Sequence, residues 1–316
     1  MKKKRSVNND GLHLDQFAQY LEEQDRSPQT VRGYNNDLQL FSQWFLKNNG
    51  EHATIQIITP TDIREYRQYL LVVERRKANT INRRLAAISA LMQWAKTTHR
   101  IESNPAEQIK SVQNLGSGPH YLDRKEQYAL NRAIERDLQL SRIRYPKRWV
   151  VRLRDASLVR FMLHTGVRLG EALDMCIEDV DLGDKKGHVV VQNGKGGKQR
   201  TIPLNSEARK SLRAWFGIRP ESKSRHIWIV VEGQHHERLG SRSVQRVIRR
   251  IGQDAGLPGL TAHMLRHTFA KNLVDSGVGL EKVAALLGHS NLNTTRIYIT
   301  PSHKDLEDAV EAAIMQ

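Results

Sequence analysis

The sequence predicts a mainly helical protein with one small antiparallel β-sheet, divided into two domains. Three observations carry this expectation. Apolar residues recur three or four positions apart through much of the chain, which is the period of a one-sided helix. Two β-rich runs flank a glycine-rich tip, the pattern of a hairpin. A stretch around Gly116 is rich in turn formers and holds almost nothing that packs, as linkers do. The 316 residues make room for about two domains of ordinary size, and the 39% hydrophobic content gives each its own core.

Residues 11–112 read as a helical domain with short polar breaks. Two helix starts are written locally, Ser27-Pro28 and Thr59-Pro60. In each, the hydroxyl can cap orphan amides while proline takes the first helical position, where its missing N–H costs nothing. After the first cap Val31, Tyr34, Leu38, Phe41 and Phe45 form one apolar face, and after Thr80 so do Ile81, Leu85, Ile88, Leu91 and Ala95. The other face of the latter helix, with Arg83, Arg84 and Lys96, continues the basic run Arg75, Arg76 and Lys77 and suits phosphate contacts as well as it suits solvent. Asn114 to Pro119 falls in the linker, set at 113–120. The second domain, 121–316, is helical except for β-rich runs at 188–192 and 199–204 around the tip 193–198, with a third strand expected at 226–231. It opens with a dense basic stretch, Arg142, Arg144, Lys147, Arg148, Arg152 and Arg154. At the far end, residues 305–316 carry apolar positions three or four apart, an amphipathic helix that needs a partner surface.

Charge narrows the partners. Lys and Arg total 50 against 34 Asp and Glu, giving +16 and a pI near 10.0, which favours a polyanion. The basic start Met1 to Arg5 is followed by polar residues, and no run of about eighteen apolar residues occurs, so neither a secretory signal nor a membrane span is expected. A single cysteine, Cys176, allows no internal disulfide and fits a reducing, cytoplasmic setting.

Five segments of the second domain carry phosphate-directed chemistry, and none is decisive alone. Thr165-Gly166-Val167-Arg168-Leu169-Gly170-Glu171 sets an arginine in a turn leading into a helix. Lys195 and Lys198 lie in the glycine-rich tip, where the backbone can approach a ligand closely. The tip is not a nucleotide-binding P-loop, because Lys198 is followed by Gln199 and a β-rich run. His263-Met264-Leu265-Arg266-His267 presents His263 and Arg266 on one helix face. Two histidines four apart could also suit a metal, but no third ligand is evident, so no metal is expected. Leu287-Gly288-His289 closes a helix-like run, and Tyr298 follows nine residues after His289. Taken alone, the alternation of Thr, Ile and Tyr there would make a short strand with its phenol half exposed.

The order Arg, Lys, His-x-x-Arg, Leu-Gly-His, Tyr within one basic domain resembles the tyrosine recombinase, or phage integrase, family. Upstream, Ser27-Pro28-x-Thr30-x-x-x-Tyr34-x-x-Asp37-Leu38 and Thr80-Ile81-Asn82-x-x-Leu85 are similar to the core-binding domain of its Xer subgroup, so the resemblance covers nearly the whole chain. It implies a SAM-like helical core-binding domain and a mixed catalytic domain closing on DNA as a C-shaped clamp. It further implies that Arg168 and Arg266 hold the scissile phosphate with a hydrogen bond from His289, that Tyr298 is the nucleophile, that His263 accepts its proton and that Lys195 protonates the leaving 5′-oxygen. The product is a 3′-phosphotyrosyl link that keeps the energy of the bond it replaces, so no ATP, metal or other cofactor is implied. Glu171 would support a neighbouring arginine or the helix start. Lys198 and Arg200 join the basic residues above as candidates for DNA contact. The partners implied are a double-stranded recombination site bound by one dimer, a homotetramer joining two sites through the tail helix, and accessory DNA-binding proteins.

Two departures stand out: Ala262 where many relatives carry proline, and the length of 137–154, which points toward a recombinase borne by a mobile element. The rival readings are a type IB-like topoisomerase, which shares much of the residue set, and a non-cleaving DNA-binding regulator of the same fold.

Overall fold

The computed structural model describes residues 10–113, 118–192, 199–233, 236–289, 291, 293–298 and 310. The chain divides into two compact units, one running to Gly116 and the other from Ser117.

The first unit is built from helices α1 (Leu14–Glu23), α2 (Pro28–Asn49), α3 (Pro60–Gln68) and α4 (Ala78–Thr97). Both expected caps form. Ser27 Oγ accepts from the Thr30 amide, and Thr59 and Asp62 satisfy each other's amides reciprocally. Val31, Leu38, Phe41 and Phe45 of α2 meet Ile81, Leu85, Ile88 and Leu91 of α4 in the core. Tyr66 of α3 closes it, its ring centroid 5.1 Å from that of Phe41 and 5.0 Å from that of Trp44. The last turn of α3 widens into a π turn, Tyr69–Val73, that leaves Leu71, Val72 and Val73 exposed.

Arg84 departs from the expected outward face of α4. Its side chain is 8% exposed, against 50% for Arg83. The reason lies in the helical row: position 84 stands three after Ile81 and four before Ile88, inside the apolar stripe. There its guanidinium meets the Tyr66 hydroxyl at 3.3 Å and Glu74 at 3.5 Å, and it ties α4 to the end of α3. Arg83 instead reaches Asp37 of α2, whose side chain is fully buried.

The second unit comprises α5 (Arg124–Arg144), α6 (Trp149–Thr165), α7 (Leu169–Asp174), β1 (Val180–Leu182), β2 (Gly187–Val191), β3 (Arg200–Pro203), α8 (Ser206–Phe216), α9 (Ser241–Asp254), α10 (Ala262–Asp275), α11 (Leu280–Leu287) and α12 (Asn293–Arg296). The strands form one antiparallel sheet in the order β1-β2-β3, with Val189 paired to both Val180 and Ile202. The two predicted runs are β2 and β3, but the third strand is Val180–Leu182 and not 226–231. The latter makes only isolated bridges, Cys176 with His226 and Ile229 with Arg238. Ile227, Trp228 and Ile229 are all fully buried, so the run crosses the core with both faces covered and lacks the one-sided exposure of a surface strand.

Helix α6 packs against α5, α8, α9 and α10 and is buried over most of its length. Its central place divides the basic stretch. Arg154 turns inward to Asp155 and the Ile229 carbonyl, and Arg152 pairs with Asp137, whereas Arg142, Arg144, Lys147 and Arg148 stay exposed. No described helix is long and apolar enough to cross a membrane.

Candidate active site

Three arginines, two histidines and one tyrosine converge where α6 and α11 end. Both helices stop at a glycine in the left-handed region, Gly166 (φ 64°) and Gly288 (φ 65°). A Cβ at Gly166 would stand 2.3 Å from the Phe269 ring, and one at Gly288 would stand 2.8 Å from Arg200 Nη1. Glycine therefore serves here for both its backbone freedom and its size.

These helix ends aim the guanidinium groups. Arg266, on α10, donates from Nη1 to the Gly166 carbonyl and from Nη2 to the Leu287 carbonyl, each at 2.7 Å. Arg168, just before α7, donates to the Gly288 carbonyl at 3.2 Å, and Arg200 of β3 donates from Nε to the Leu286 carbonyl at 2.9 Å. The last carbonyls of a helix lack intrahelical partners and lie at the negative end of its dipole, so they suit cations.

Glu171 holds two of these arginines together. It accepts from the Arg168 amide at 2.8 Å and the Arg168 guanidinium at 2.7 Å, and both Nη atoms of Arg200 reach it, at 3.0 and 2.6 Å. Burial opposes its charge, but the hydrogen bonds from Arg200 and the Arg168 amide more than offset that and hold its carboxyl down at about 2. Glu171 thus acts as the support expected for it. Arg200, read from the sequence as a surface contact to DNA, is instead 10% exposed in its side chain and braces Glu171.

Three guanidinium charges against one carboxylate leave the cluster positive. Burial and the neighbouring Arg168 push Arg266 down to about 10, so it stays charged at neutral pH. His289 holds Thr295 Oγ1 at 2.9 Å through Nδ1, and burial followed by the charges of Arg266, Arg168 and Arg200 lowers it to about 4. It is therefore a neutral ring; when the Thr295 hydroxyl donates to Nδ1, its proton sits on Nε2, as a donor.

Tyr298 follows the short helix α12 and is 3% exposed, not the half-exposed strand residue its segment alone suggested. Ala270, Val283 and Leu287 surround its ring. Burial raises its pKa, and the charges of Arg266 and Arg168 oppose that rise without reversing it, so the resting group is a phenol. The group that meets the phenol is His267, whose Nδ1 lies 2.8 Å from the Tyr298 hydroxyl. His267 closes the His-x-x-Arg-His segment, and the resemblance assigns it no role. The signal was weak: a residue beside Arg266 on a helix points to a different face, and its partner lies 31 positions on.

Of the other predicted residues, His263 is exposed on the first turn of α10, its ring centroid 6.4 Å from that of His267. Lys195 and Lys198 lie outside the described residues. Arg75, Arg76 and Lys77 are exposed in the first unit, with Arg76 paired to Glu74 at 2.7 Å. Among the described residues no three His, Cys, Asp or Glu side chains gather as a metal site.

The cluster offers a positive cradle of fixed guanidiniums beside a buried phenol in contact with a base, an arrangement suited to displacement at a phosphodiester. Comparison with known proteins points the same way. The profile of the Phage integrase family matches residues 134–305, and that of the Phage integrase, N-terminal SAM-like domain matches residues 14–99. The chain is 30% identical to Tyrosine recombinase XerC of Corynebacterium glutamicum, over 95% of this chain and 91% of the relative. It is 28% identical to Tyrosine recombinase XerA of Pyrococcus furiosus, over 95% and 93%. The fold superposes on XerH site-specific recombinase bound to a palindromic difH substrate with a TM-score of 0.72 at 23% identity, covering 93% of this chain and 84% of that one. These relatives are Xer proteins, so the length of 137–154 does not by itself mark a mobile-element enzyme. With its catalytic profile matched over more than half of its length, the chain belongs to the phage integrase family and is a Xer-type tyrosine recombinase, a site-specific enzyme that cleaves and rejoins DNA.

Proposed function

We propose that Arg168 and Arg266 hold the non-bridging oxygens of the scissile phosphate while Tyr298 attacks the phosphorus. The observation that carries this reading is the pinning of both guanidiniums by helix-end carbonyls beside the buried Tyr298 phenol. Fixed positive charge stabilises the transition state without reorganisation, which is most of what phosphoryl transfer asks of a protein. The neutral His289 adds a hydrogen bond. Attack yields a 3′-phosphotyrosyl link, and Lys195 protonates the departing 5′-oxygen. Because the link conserves the phosphodiester's energy, a 5′-hydroxyl of another strand reseals it with no cofactor. Two histidines of α10 compete for the phenolic proton, His263 by resemblance and His267 by contact.

Residues 11–112 form the core-binding domain and 121–316 the catalytic one. The exposed Arg75, Arg76, Lys77, Arg83, Arg142, Arg144, Lys147 and Arg148 are the basic side chains available to DNA phosphates. A dimer covers one site in the cytoplasm, and residues 305–316, which apart from position 310 lie outside the described residues, are the segment proposed to link two dimers into a tetramer, with accessory proteins choosing among integration, excision and resolution.

The test incubates the protein and Tyr298→Phe with nicked duplex carrying sequence from beside its own gene, without Mg²⁺ or ATP, and resolves covalent adducts on a denaturing gel. An adduct from the unaltered protein alone is expected. Tight binding without any adduct would favour the non-cleaving regulator, and relaxation of plasmids regardless of sequence would favour the topoisomerase.

A further inference from the structure

We propose that His267 takes the phenolic proton of Tyr298 during strand cleavage and returns it on ligation, the role that the resemblance gives to His263. The inference rests on Tyr298 being the nucleophile.

Geometry singles His267 out. Its Nδ1 stands 2.8 Å from the Tyr298 hydroxyl, and the two rings meet with centroids 5.6 Å apart at 53°. Proton transfer requires hydrogen-bond reach first and a suitable pKa second. His267 lies at the reacting atom, whereas His263 is exposed one turn earlier on α10. The phenol is 3% exposed, so bulk water has little access to serve as its base. Both partners are held in place. Ala270, one turn beyond Arg266, and Val283 and Leu287 of α11 surround the tyrosine ring, while the Thr261 hydroxyl caps α10 by accepting from the Met264 amide.

The electrostatics of the DNA-free site keep the ring neutral and therefore able to accept, and leave its basicity to be raised when DNA arrives. The groups acting on His267 are His263 and Arg266 of its own helix, Tyr298 after α12 and His289 after α11. Burial first, then the positive neighbours, lower it to about 4, so the ring is neutral at physiological pH. A neutral imidazole protonated on Nε2 presents Nδ1 as an acceptor to the phenol. An arriving phosphate brings negative charge into the arginine cluster and makes the imidazolium easier to form than in the free protein. In the step itself the Oη–P bond forms, the P–O5′ bond breaks, the proton moves from Oη to Nδ1, and the 5′-oxygen takes a proton from a separate acid, Lys195 in the reading above. Ligation runs in reverse: the incoming 5′-hydroxyl gives its proton to that acid as it attacks, and Nδ1 returns the first proton to the leaving phenolate.

A contact that merely positions the phenol would look the same at rest, and the test separates the two. His267→Asn places an amide near the Nδ1 position, which keeps a hydrogen bond and removes the base. Single-turnover adduct formation on a nicked duplex is followed as a function of pH, with DNA binding measured in parallel. The expected result is a loss of about 100-fold or more at neutral pH, with a rate that climbs as hydroxide replaces the base, unchanged DNA binding, and a His263→Ala profile shaped like that of the unaltered protein. Unaltered cleavage by His267→Asn, a slower rate with an unchanged pH profile, or a hydroxide-dependent profile confined to His263→Ala would overturn the proposal. An adduct formed by Tyr298→Phe would instead remove the nucleophile assignment. A second measurement needs no variant: histidine ¹⁵N NMR of the unaltered protein at neutral pH should find Nδ1 of His267 without a proton, and a proton resident there would overturn the proposal equally.

Discussion

Two buried carboxylates, one in each unit, face arginines and behave in opposite ways. Asp37 in the first unit has its side chain fully buried next to Arg83 and Arg84, yet its pKa is raised, because burial outweighs both arginines. Glu171 in the second unit is almost as enclosed, at 6% exposure, and is held at about 2. The difference lies in hydrogen bonds and not in the number of nearby cations. Glu171 receives four donors at 2.6 to 3.0 Å, whereas Asp37 receives one, from Arg83 to Oδ2, and its Oδ1 has no hydrogen-bond partner, with Arg84 Nε 4.0 Å away. One arginine donor does not offset the burial of Asp37, whereas several donors spent on both oxygens hold Glu171 ionised. One carboxylate is a tie between helices; the other is the counter-charge that lets a cluster of guanidiniums exist.

The sharpest way to break this contrast is to neutralise each carboxylate without changing its shape. Glu171→Gln, which strands Arg168 and Arg200, is expected to cost about 3 kcal/mol in urea unfolding. Asp37→Asn removes a charge that burial already disfavours and is expected to cost about 1 kcal/mol. Equal losses would show that burial alone, and not donor count, governs both sites.

A smaller effect, of opposite sign at the two sites, should appear in acid. Glu171 titrates below the 4.5 of a free glutamate, so its contribution is complete above pH 4.5 and is lost as pH falls through about 2. Asp37 is raised above 3.8, so the folded chain binds its proton before the unfolded chain does and acid relieves the site. Stability measured down through the acid range should fall less steeply in Glu171→Gln than in the unaltered protein, and more steeply in Asp37→Asn. The smallest effect concerns Arg83, the half-exposed partner of Asp37. Arg83→Gln, which keeps an N–H donor for Asp37 and loses the charge, should shift unfolding by about 1 kcal/mol or less. As a phosphate contact it should also lower the salt dependence of DNA binding by about one unit of slope, and an unchanged slope would leave it purely a partner of Asp37.

What could be read from the sequence follows the range of the interactions involved. The caps at Ser27 and Thr59 were legible because each is settled within four residues. The β2–β3 hairpin was legible because alternation and a glycine-rich tip suffice. Strand β1 was not: three residues carry too little pattern, and only pairing with β2 makes them a strand. Residues 226–231 have strand composition, but their backbone bonds are divided between Met175 on one side and Glu237 and Leu239 on the other, so no continuous ladder forms. Arg84 was misread although its position within the apolar row was available, because the partners that reward its burial, Tyr66 and Glu74, lie elsewhere in the chain. At the site, residue types and order pointed to the cluster, but the role of Arg200 and the contact of His267 with Tyr298 depend on contacts between distant segments.

The arginines of the cluster lean on carbonyl oxygens at positions 166, 286, 287 and 288. A carbonyl belongs to every residue, so replacing Leu286 or Leu287 by another helix-compatible side chain leaves the oxygen where it was. Sequence drift can thus exchange apolar residues of similar volume in the surrounding wall without dismantling the scaffold that orients the charges. A designer seeking new DNA targets gains a narrower latitude: Leu286 and the fully buried Leu287 can be exchanged for apolar residues of similar volume, and the two glycines that end the helices are the positions to leave alone.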